Sequence, residues 1–472
     1  MNPVREKNRE SRKEALMSVT HQKCGAAVLA LIFLLLGLSG SISGAGQDIA
    51  GARDYKNILP EKERARVQNA WLKWRLENII PELMRREGID MWLVINREYN
   101  EDPVYLSLVP RPTMYARRTS ILIFHDLGPE KGVERLSGSY YGMGEWYKST
   151  WVDKKKKQFE SLAEVIRARN PKKIGINVSE NWAFGDGLSA SLKEKLEKAL
   201  DPELASRFVS AENLCVGWLE TRSPQELSVY RHIAGIAHDI IAEFFSNRVI
   251  VPDITTTDDV VWWIRQRITD LGLETWFQPS ISIQRHKKEA ARYGEKDNVI
   301  RRGDLLHCDV GIVYLGLCTD MQLQAYVCRI GEDDAPAGLK EALRRANRVA
   351  DIFMAEFKTG RTGNDIVDSA MKKASAEGLR PLIYSHPLGI HGHGAGCTCD
   401  ARPPEAAPED IRERGRYPLY PNTVYAIEFS STTAVPEWDN QDVRIGYEET
   451  GVFTEEGCRF VDGRQTKFFL IK

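Results

Sequence analysis

Five residues in the last third of the chain have the chemistry to hold divalent cations. Four are carboxylates and one is a histidine. Oxygen donors dominate such a set and favour hard or borderline ions, while a single imidazole admits Mn, Fe, Co or Zn. The residues come from well-separated segments, so only a folded domain can bring them together. The candidate ligands are Asp309, Asp320, His393, Glu428 and Glu448.

The two aspartates are eleven positions apart and have Gly311 and Gly316 between them. A hairpin of that length can return the chain so that Asp309 and Asp320 face one another. Two unpaired carboxylates on a buried sheet would repel each other and lose their hydration, which favours a bound metal. The alternative is that one aspartate caps the turn while the other pairs with an arginine.

A histidine cluster follows, with His386, His391 and His393 inside a glycine-rich stretch. Glycines around a histidine allow the backbone to approach an ion or a substrate closely. Glu428 ends an apolar strand-like run, where a lone ionised carboxylate would be costly. Glu448 precedes a segment that reads as a hairpin with a Glu-Gly turn.

The order of elements divides the chain into two regions. From about residue 60 to 215, helical and strand-like patterns alternate, which predicts a mixed α/β domain. A boundary falls near Ser223, where Pro224 and Glu226 complete a capping box. Helices are predicted after it at about 224–247, 257–272, 339–358 and 364–377.

The N-terminus reads as a targeting segment. Basic residues precede an apolar run at 26–36 and small residues at 39–45, which is the order of a secretory signal cleaved after Ala45. Retention of the segment as a membrane anchor is the alternative. The formal net charge of -1 gives no reason to expect nucleic acid as a partner. Cys397 and Cys399 are interpreted as packed, inert thiols.

Together, these motifs resemble the M24 superfamily of creatinase, aminopeptidase P and prolidase, which share the pita-bread fold. The similar segments are 309–320, with its paired aspartates, 392–396, which reads Gly-His-Gly-Ala-Gly, 421–428, and 447–457. The resemblance covers about residues 224–472. After the predicted signal peptide at 1–45, it implies an α+β protein with a smaller creatinase-like α/β domain at 55–222 and a pita-bread catalytic domain at 223–472.

The resemblance also implies a dinuclear site. Asp320 and Glu448 would bridge the two ions, Asp309 would bind one, and His393 with Glu428 the other. A hydroxide held between the ions would be the nucleophile, and Glu428 would pass the proton to the leaving amine. The expected ions are Mn, Co or Zn, with Mn or Zn favoured. The expected substrate is a short peptide cut before proline.

Several positions depart from the family pattern. The histidine expected four residues before the metal ligand is Gly389, so His386 and His391 are assigned as catalytic neighbours, and His391 is the alternative ligand. A further histidine expected after the ligand falls in the stretch 399–401, which has none. The histidine expected about eighteen residues before Asp309 is Ala291. The nearest candidates there are His286 and His307. The arginine expected two before Glu448 is four before it, at Arg444.

The sequence therefore predicts an exported metallo-aminopeptidase or dipeptidase, either periplasmic or secreted. No nucleic acid and no stable membrane partner after signal cleavage are expected, and dimers are common in this branch. The alternative is a member of the same fold that keeps the metal site but works as a lyase, an amidinohydrolase or a binding protein.

Overall fold

The computed structural model describes residues 58–402 and 413–472. All of them fall within one compact unit, Asp48–Lys472. The predicted signal at 1–45 lies outside the described residues, so export stays a prediction. Within the described residues, every helix is too short or too polar to cross a bilayer.

The first half of the described chain builds a mixed sheet with helices around it. The elements are α1 (Glu61–Glu87), β1 (Met91–Arg97), α2 (Tyr105–Leu108), β2 (Thr119–Asp126), β3 (Val133–Ser137), β4 (Lys148–Ser149), α3 (Gln158–Arg169), β5 (Ile174–Ile176), α4 (Ala190–Ala199), α5 (Pro202–Ala205), β6 (Phe208–Ser210) and α6 (Glu212–Glu220). The strands lie in the order β4-β3-β2-β1-β5-β6, with β1 antiparallel to β2 and parallel to β5. The predicted mixture of helices and strands is confirmed, although β2, β3 and β4 follow one another without a helix between them.

The second half carries the longer strands and all of the candidate ligands. Its elements are α7 (Pro224–Phe244), α8 (Thr257–Asp270), β7 (Ser280–Gln284), α9 (Lys287–Tyr293), β8 (Leu305–Asp309), β9 (Val313–Tyr314), β10 (Leu317–Cys318), β11 (Gln324–Val327), α10 (Ala337–Met354), α11 (Gly363–Ala376), β12 (Pro381–Leu388), β13 (Cys399–Asp400), β14 (Thr423–Val435), β15 (Gln441–Thr454), β16 (Gly457–Phe460) and β17 (Phe469–Ile471). Short 3₁₀ turns lie at Ala183–Gly185 and Pro436–Trp438.

Two sheets in this half hold the candidate site. One has the order β17-β11-β8-β7 and the other the order β13-β12-β14-β15-β16. Helix α10 packs its buried face on β14 and β15. Most buried positions on α10 recur every three or four residues, as expected for a helix with one face in the core: Leu339, Ala342, Leu343, Ala346, Val349, Ala350 and Phe353, with Asn347 and Ile352 buried beside them.

Side-chain caps fix where three helices begin. The side chains of Ser223, Thr256 and Thr362 each accept a hydrogen bond from the backbone N–H three residues on, and the acidic side chain at that position accepts one from the backbone N–H of the cap residue. These reciprocal bonds satisfy N–H groups that the first turn of a helix leaves without partners. The capping box predicted at Ser223 is confirmed. The four helices predicted after it are also confirmed, with ends that differ by a few residues.

A buried ion cluster ties α1 to α7. The Glu226 carboxylate accepts hydrogen bonds from Arg75 at 3.0 and 3.2 Å and from Arg222 at 3.1 Å. All three residues are at most 3% exposed. Burial opposes ionisation of Glu226, but the two arginine charges prevail and hold its pKa below the usual value. Burial is also the main reason why the pKa of Arg75 falls to about 10. The Glu226 carboxylate is therefore the counter-charge for two buried cations.

Replacing Glu226 by Gln should lower the free energy of unfolding by about 3 to 5 kcal/mol, because two buried guanidinium groups would lose their counter-charge. Thermal or denaturant unfolding measures the change. The control is Glu160→Gln, since the Glu160 carboxylate pairs with Lys157 at the surface. Equal stability of the two variants would contradict the role of the cluster.

Candidate metal centre

The pairing of β14 with β15 sets two glutamates side by side. Glu428 is directly opposite Glu448 in this antiparallel register. Side chains at opposed positions project from the same face and interact, and like charges there destabilise the sheet. The arrangement therefore requires protons or cations to offset the two negative charges.

The predicted hairpin between the two aspartates is confirmed. Val310 and Met321 exchange backbone hydrogen bonds of 3.0 and 3.1 Å, and β9 pairs with β10 near the tip. Leu315 and Gly316 turn the chain with positive φ angles of 56° and 72°. Beyond the hairpin, an isolated β-bridge pairs Gln322 with Glu448 on β15. Asp320 thereby arrives beside the glutamate pair.

His386 completes the cluster from β12. Its Nε2 atom lies 3.6 Å from Asp320 Oδ2, 3.6 Å from Glu428 Oε2 and 3.8 Å from Glu448 Oε1. The other ring nitrogen, Nδ1, is 3.1 Å from the carbonyl oxygen of Pro387. A carbonyl only accepts, so Nδ1 carries the hydrogen and Nε2 presents a lone pair to the carboxylates. A backbone carbonyl on the far nitrogen is the usual way of orienting a metal-binding imidazole.

Three buried atoms of this cluster have no hydrogen-bond partner among the described residues. They are Asp320 Oδ1, Glu448 Oε1 and His386 Nε2. Buried polar atoms are rarely left unsatisfied, because each costs free energy comparable to a lost hydrogen bond. One potential ligand atom each from Asp320, His386 and Glu448 lies within 4.8 Å of the other two. The mixture of carboxylate oxygen and imidazole nitrogen fits a divalent ion such as Mn or Zn.

Burial and mutual repulsion raise the pKa values of the carboxylates. Burial is the main cause for all four, and it raises the pKa of Asp309 to about 6 and that of Glu428 to about 8. The pKa values of Asp320 and Glu448 lie well above normal, since the other carboxylates add to the effect of burial. The negative charge of Asp309 helps to raise the pKa values of the other three carboxylates, so Asp309 lies at the edge of the same cluster.

The three clustered histidines have different surroundings. The His393 ring lies 4.5 Å from the His386 ring and 5.2 Å from the Trp276 ring, measured between centroids. The His391 ring stacks on Phe184 at 4.5 Å. His386, assigned from sequence as a catalytic neighbour, thus faces three carboxylates, and His393 flanks it. The geometry favours His386 over His393 and His391 as the imidazole ligand. With the ligand at His386, His393 becomes the further histidine that the family pattern expects.

Sequence reasoning missed two other groups at the site. The Trp276 ring covers Gly392, where a Cβ atom would lie 2.1 Å from the ring, and the indole Nε1 donates to the Thr319 carbonyl at 2.9 Å. Gln322 donates to both Glu428 and Glu448. The signal for Gln322 was its position two residues after Asp320, which puts both side chains on one face of an extended segment.

The remaining candidate residues lie at different distances from the cluster. His286 caps α9, and its Nε2 lies 3.3 Å from the carboxylate of Asp439, which is not one of the candidate ligands. His307 contacts Gln322 instead of the ligands directly. Arg444 is exposed on β15, and its positive charge acts to lower the pKa of Glu428. All seven cysteines of the described residues are free, and Cys397 and Cys399 are buried as predicted.

Sequence comparison identifies relatives for this half of the chain. Residues 228–460 match the profile of metallopeptidase family M24. A methionine aminopeptidase of Thermococcus kodakarensis is 25% identical over 179 residues, which is 37% of this chain and 55% of that protein. The chain thus spans little more than half the length of the curated relatives that it matches.

Solved structures with a similar fold cover nearly all of the described chain. The X-Pro aminopeptidase from Thermotoga maritima matches with a TM-score of 0.57 and 17% identity, over 82% of this chain and 99% of that one. A dipeptidase from Pyrococcus horikoshii matches with a TM-score of 0.55 and 17% identity, over 84% and 100%. At this identity the likeness concerns the fold, and it confirms the predicted α+β pita-bread architecture.

The metal-free protein should lose stability as pH rises from about 6.5 to 8. Glu428 has a folded-state pKa of about 8 against 4.5 in the unfolded chain. The folded protein therefore keeps a proton that the unfolded chain has released, and rising pH favours unfolding. Below about pH 6.5, His386 has the opposite effect on stability, because burial lowers its pKa to about 3. The unfolded chain then binds a proton that the folded protein does not, so rising pH favours folding in that range. The predicted loss of stability with rising pH is therefore limited to pH values above about 6.5.

Thermal unfolding midpoints in excess EDTA, measured across this pH range, test the prediction. Glu220 and His238, with pKa values raised to about 8 and about 9, change stability in the same direction. The comparison with Glu428→Gln reports the Glu428 charge together with its effect on the pKa values of Asp320 and Glu448, and that variant should show a shallower fall. Glu455→Gln, at an exposed turn, is the control. Parallel curves for wild type and Glu428→Gln would contradict the assignment.

Proposed function

Because the chain belongs to the M24 metallopeptidase superfamily, we propose that it hydrolyses short peptides with the help of two divalent cations. The observation that carries this proposal is the buried set of carboxylates turned toward one imidazole nitrogen. Three atoms of this set have no hydrogen-bond partner in the part of the chain that the structure describes. We assign the metal-binding role to Asp309, Asp320, His386, Glu428 and Glu448, with His386 in the place predicted from sequence for His393.

Bound cations would polarise the scissile carbonyl and lower the pKa of a water molecule at the site. The side chains of the protein would carry out the proton transfer. Glu428 is the most accessible carboxylate of the inner cluster, with a side chain that is 19% exposed against 6% for Asp320 and 1% for Glu448. It is therefore the group that can take a proton from water and give it to the leaving amine.

The His393 ring packs against the ring of His386, and the indole of Trp276 packs against His393. We assign them to substrate binding. His393 carries N–H and lone-pair functions that suit a peptide carbonyl or amine, and Trp276 offers an apolar face for a side chain or a proline ring. A variant of His393 should therefore keep the metal and lose turnover.

The activities of the similar proteins support a short peptide as substrate. One is an X-Pro aminopeptidase, another a dipeptidase, and the curated relatives are methionine aminopeptidases. We propose cleavage before proline, with Mn or Zn as the ion. Export of the protein, with cleavage after Ala45, is proposed from the N-terminal residues alone.

Three histidine variants test the assignment. His386→Ala should lose at least one ion per chain and all hydrolysis, because it removes the nitrogen that faces the carboxylates. His393→Ala should bind both ions but hydrolyse peptides slowly. His232→Ala, at an exposed position on α7, is the control and should match the wild type. Metal content is measured by mass spectrometry after loading with Mn or Zn.

Hydrolysis is measured on a panel of Xaa-Pro dipeptides, Xaa-Pro-Yaa tripeptides and Met-Ala peptides. Cleavage before proline by the wild type, lost in His386→Ala, is the predicted result. Two bound ions without cleavage of any peptide would point to other chemistry at the same site, such as that of a lyase or an amidinohydrolase. Full metal content in His386→Ala, with loss in His393→Ala, would restore the assignment made from sequence.

A further inference from the structure

The Gln322 side chain lies between two of the proposed ligands. Its Nε2 donates to Glu428 Oε1 and to Glu448 Oε2, each at 2.9 Å. The other oxygens of these carboxylates, Glu428 Oε2 and Glu448 Oε1, are those that face His386. One amide thus engages one oxygen of each carboxylate and leaves the second oxygen turned toward the centre.

A second bond fixes the orientation of the amide. In the ionised form that binds cations, the two carboxylates only accept, so the Gln322 nitrogen must face them, and its Oε1 is left to accept a hydrogen bond. His307 Nε2 lies 2.9 Å from that oxygen and must supply the hydrogen. His307 Nδ1 then has its lone pair available for the hydroxyl of Ser282, 3.2 Å away. Every donor in this chain of hydrogen bonds meets an acceptor.

Backbone pairing holds the chain of hydrogen bonds in register. Gln322 and Glu448 exchange backbone hydrogen bonds of 3.0 and 3.2 Å. On the other side, His307 is opposite Ser282 in the β7–β8 pair. Ser282 is exposed, whereas Gln322 is 8% exposed. The bonds therefore run from the surface of one sheet to the ligands.

Gly446 provides the space for this arrangement. A Cβ atom at position 446 would lie 2.6 Å from His307 Nε2 and 3.0 Å from Gln322 Oε1. Contacts shorter than 3.0 Å displace one of the groups, so any side chain at this position would push the imidazole away from the amide. Position 446 is two residues before Glu448, where the family pattern has an arginine.

We propose that Gln322, oriented by His307, is a positioning residue that sets which carboxylate oxygens of Glu428 and Glu448 face the cations. This inference rests on the proposed metal-dependent function. Without the amide, each carboxylate is free to rotate about its last bond, and the like charges of the two would favour separation. Groups that orient metal ligands through hydrogen bonds typically change metal affinity by about 10- to 100-fold.

The experiment compares Gln322→Leu with three further variants. His307→Phe removes the donor to the amide, and His307→Gln retains an N–H near the position of the imidazole Nε2. The matched control is Gln324→Leu, since Gln324 is also a buried glutamine but donates to the Gly446 carbonyl instead of a ligand. The readouts are Mn²⁺ affinity by calorimetry, the visible absorption of the Co²⁺-loaded protein, and thermal unfolding of the metal-free protein.

Gln322→Leu and His307→Phe should each weaken Mn²⁺ binding by about 10-fold or more and shift the Co²⁺ spectrum. His307→Gln should restore most of the affinity, and Gln324→Leu should bind as the wild type does. If Gln322→Leu does not fold, the pair His307→Phe and His307→Gln still decides the question.

Wild-type affinity and an unchanged Co²⁺ spectrum in Gln322→Leu or His307→Phe, with peptide hydrolysis by the wild type, would overturn this inference alone. Equal losses in His307→Phe and His307→Gln would also overturn it, because the donated hydrogen bond would then be irrelevant. A wild-type protein that binds neither Mn²⁺ nor Co²⁺ would overturn the inference together with the proposed function.

Discussion

Repulsion among buried carboxylates is the constraint on which the candidate centre depends. Asp320, Glu428 and Glu448 turn oxygens toward a single imidazole nitrogen at 3.6 to 3.8 Å, and that nitrogen has no hydrogen to offer. Several negative charges in a poorly solvated site cannot all persist without compensation. Protons compensate them in the metal-free protein, and divalent cations would do so in the loaded one. The surrounding fold holds these groups together against that repulsion.

Strand pairing holds the candidate ligands in fixed positions. The long pair β14–β15 sets the two glutamates opposite each other, and the hairpin that carries Asp320 bridges to β15 at Gln322. β12 adds His386 from the other side of β14. Each ligand therefore lies on or beside a paired strand instead of a free loop, which limits how far any one of them can move away. Glycines at 392 and 446 admit the Trp276 ring and the His307 imidazole, which no other residue would allow at those distances.

Local features of the structure could be read from the sequence, while long-range pairings could not. The capping box at Ser223 and the Asp309–Asp320 hairpin depend on a few neighbouring residues, and both were predicted. The choice between His386 and His393 depends on which one β12 sets beside Glu428, and a Gly-His-Gly motif does not contain that information. His307 lies on β8 and Gln322 in the isolated bridge to β15, and as single polar residues both resemble solvent-facing positions in sequence. Their role became visible only when β7, β8 and β15 were in place.

Anomalous diffraction from crystals of the protein loaded with Mn²⁺ would locate the ions at the candidate centre. Two anomalous peaks about 3.5 to 4 Å apart are expected among the carboxylates. One of them should lie at coordination distance, about 2.2 Å, from His386 Nε2. A peak coordinated by His393 or His391 with His386 unligated would contradict the assignment, and the absence of any peak between Asp320 and Glu448 would contradict the metal centre itself.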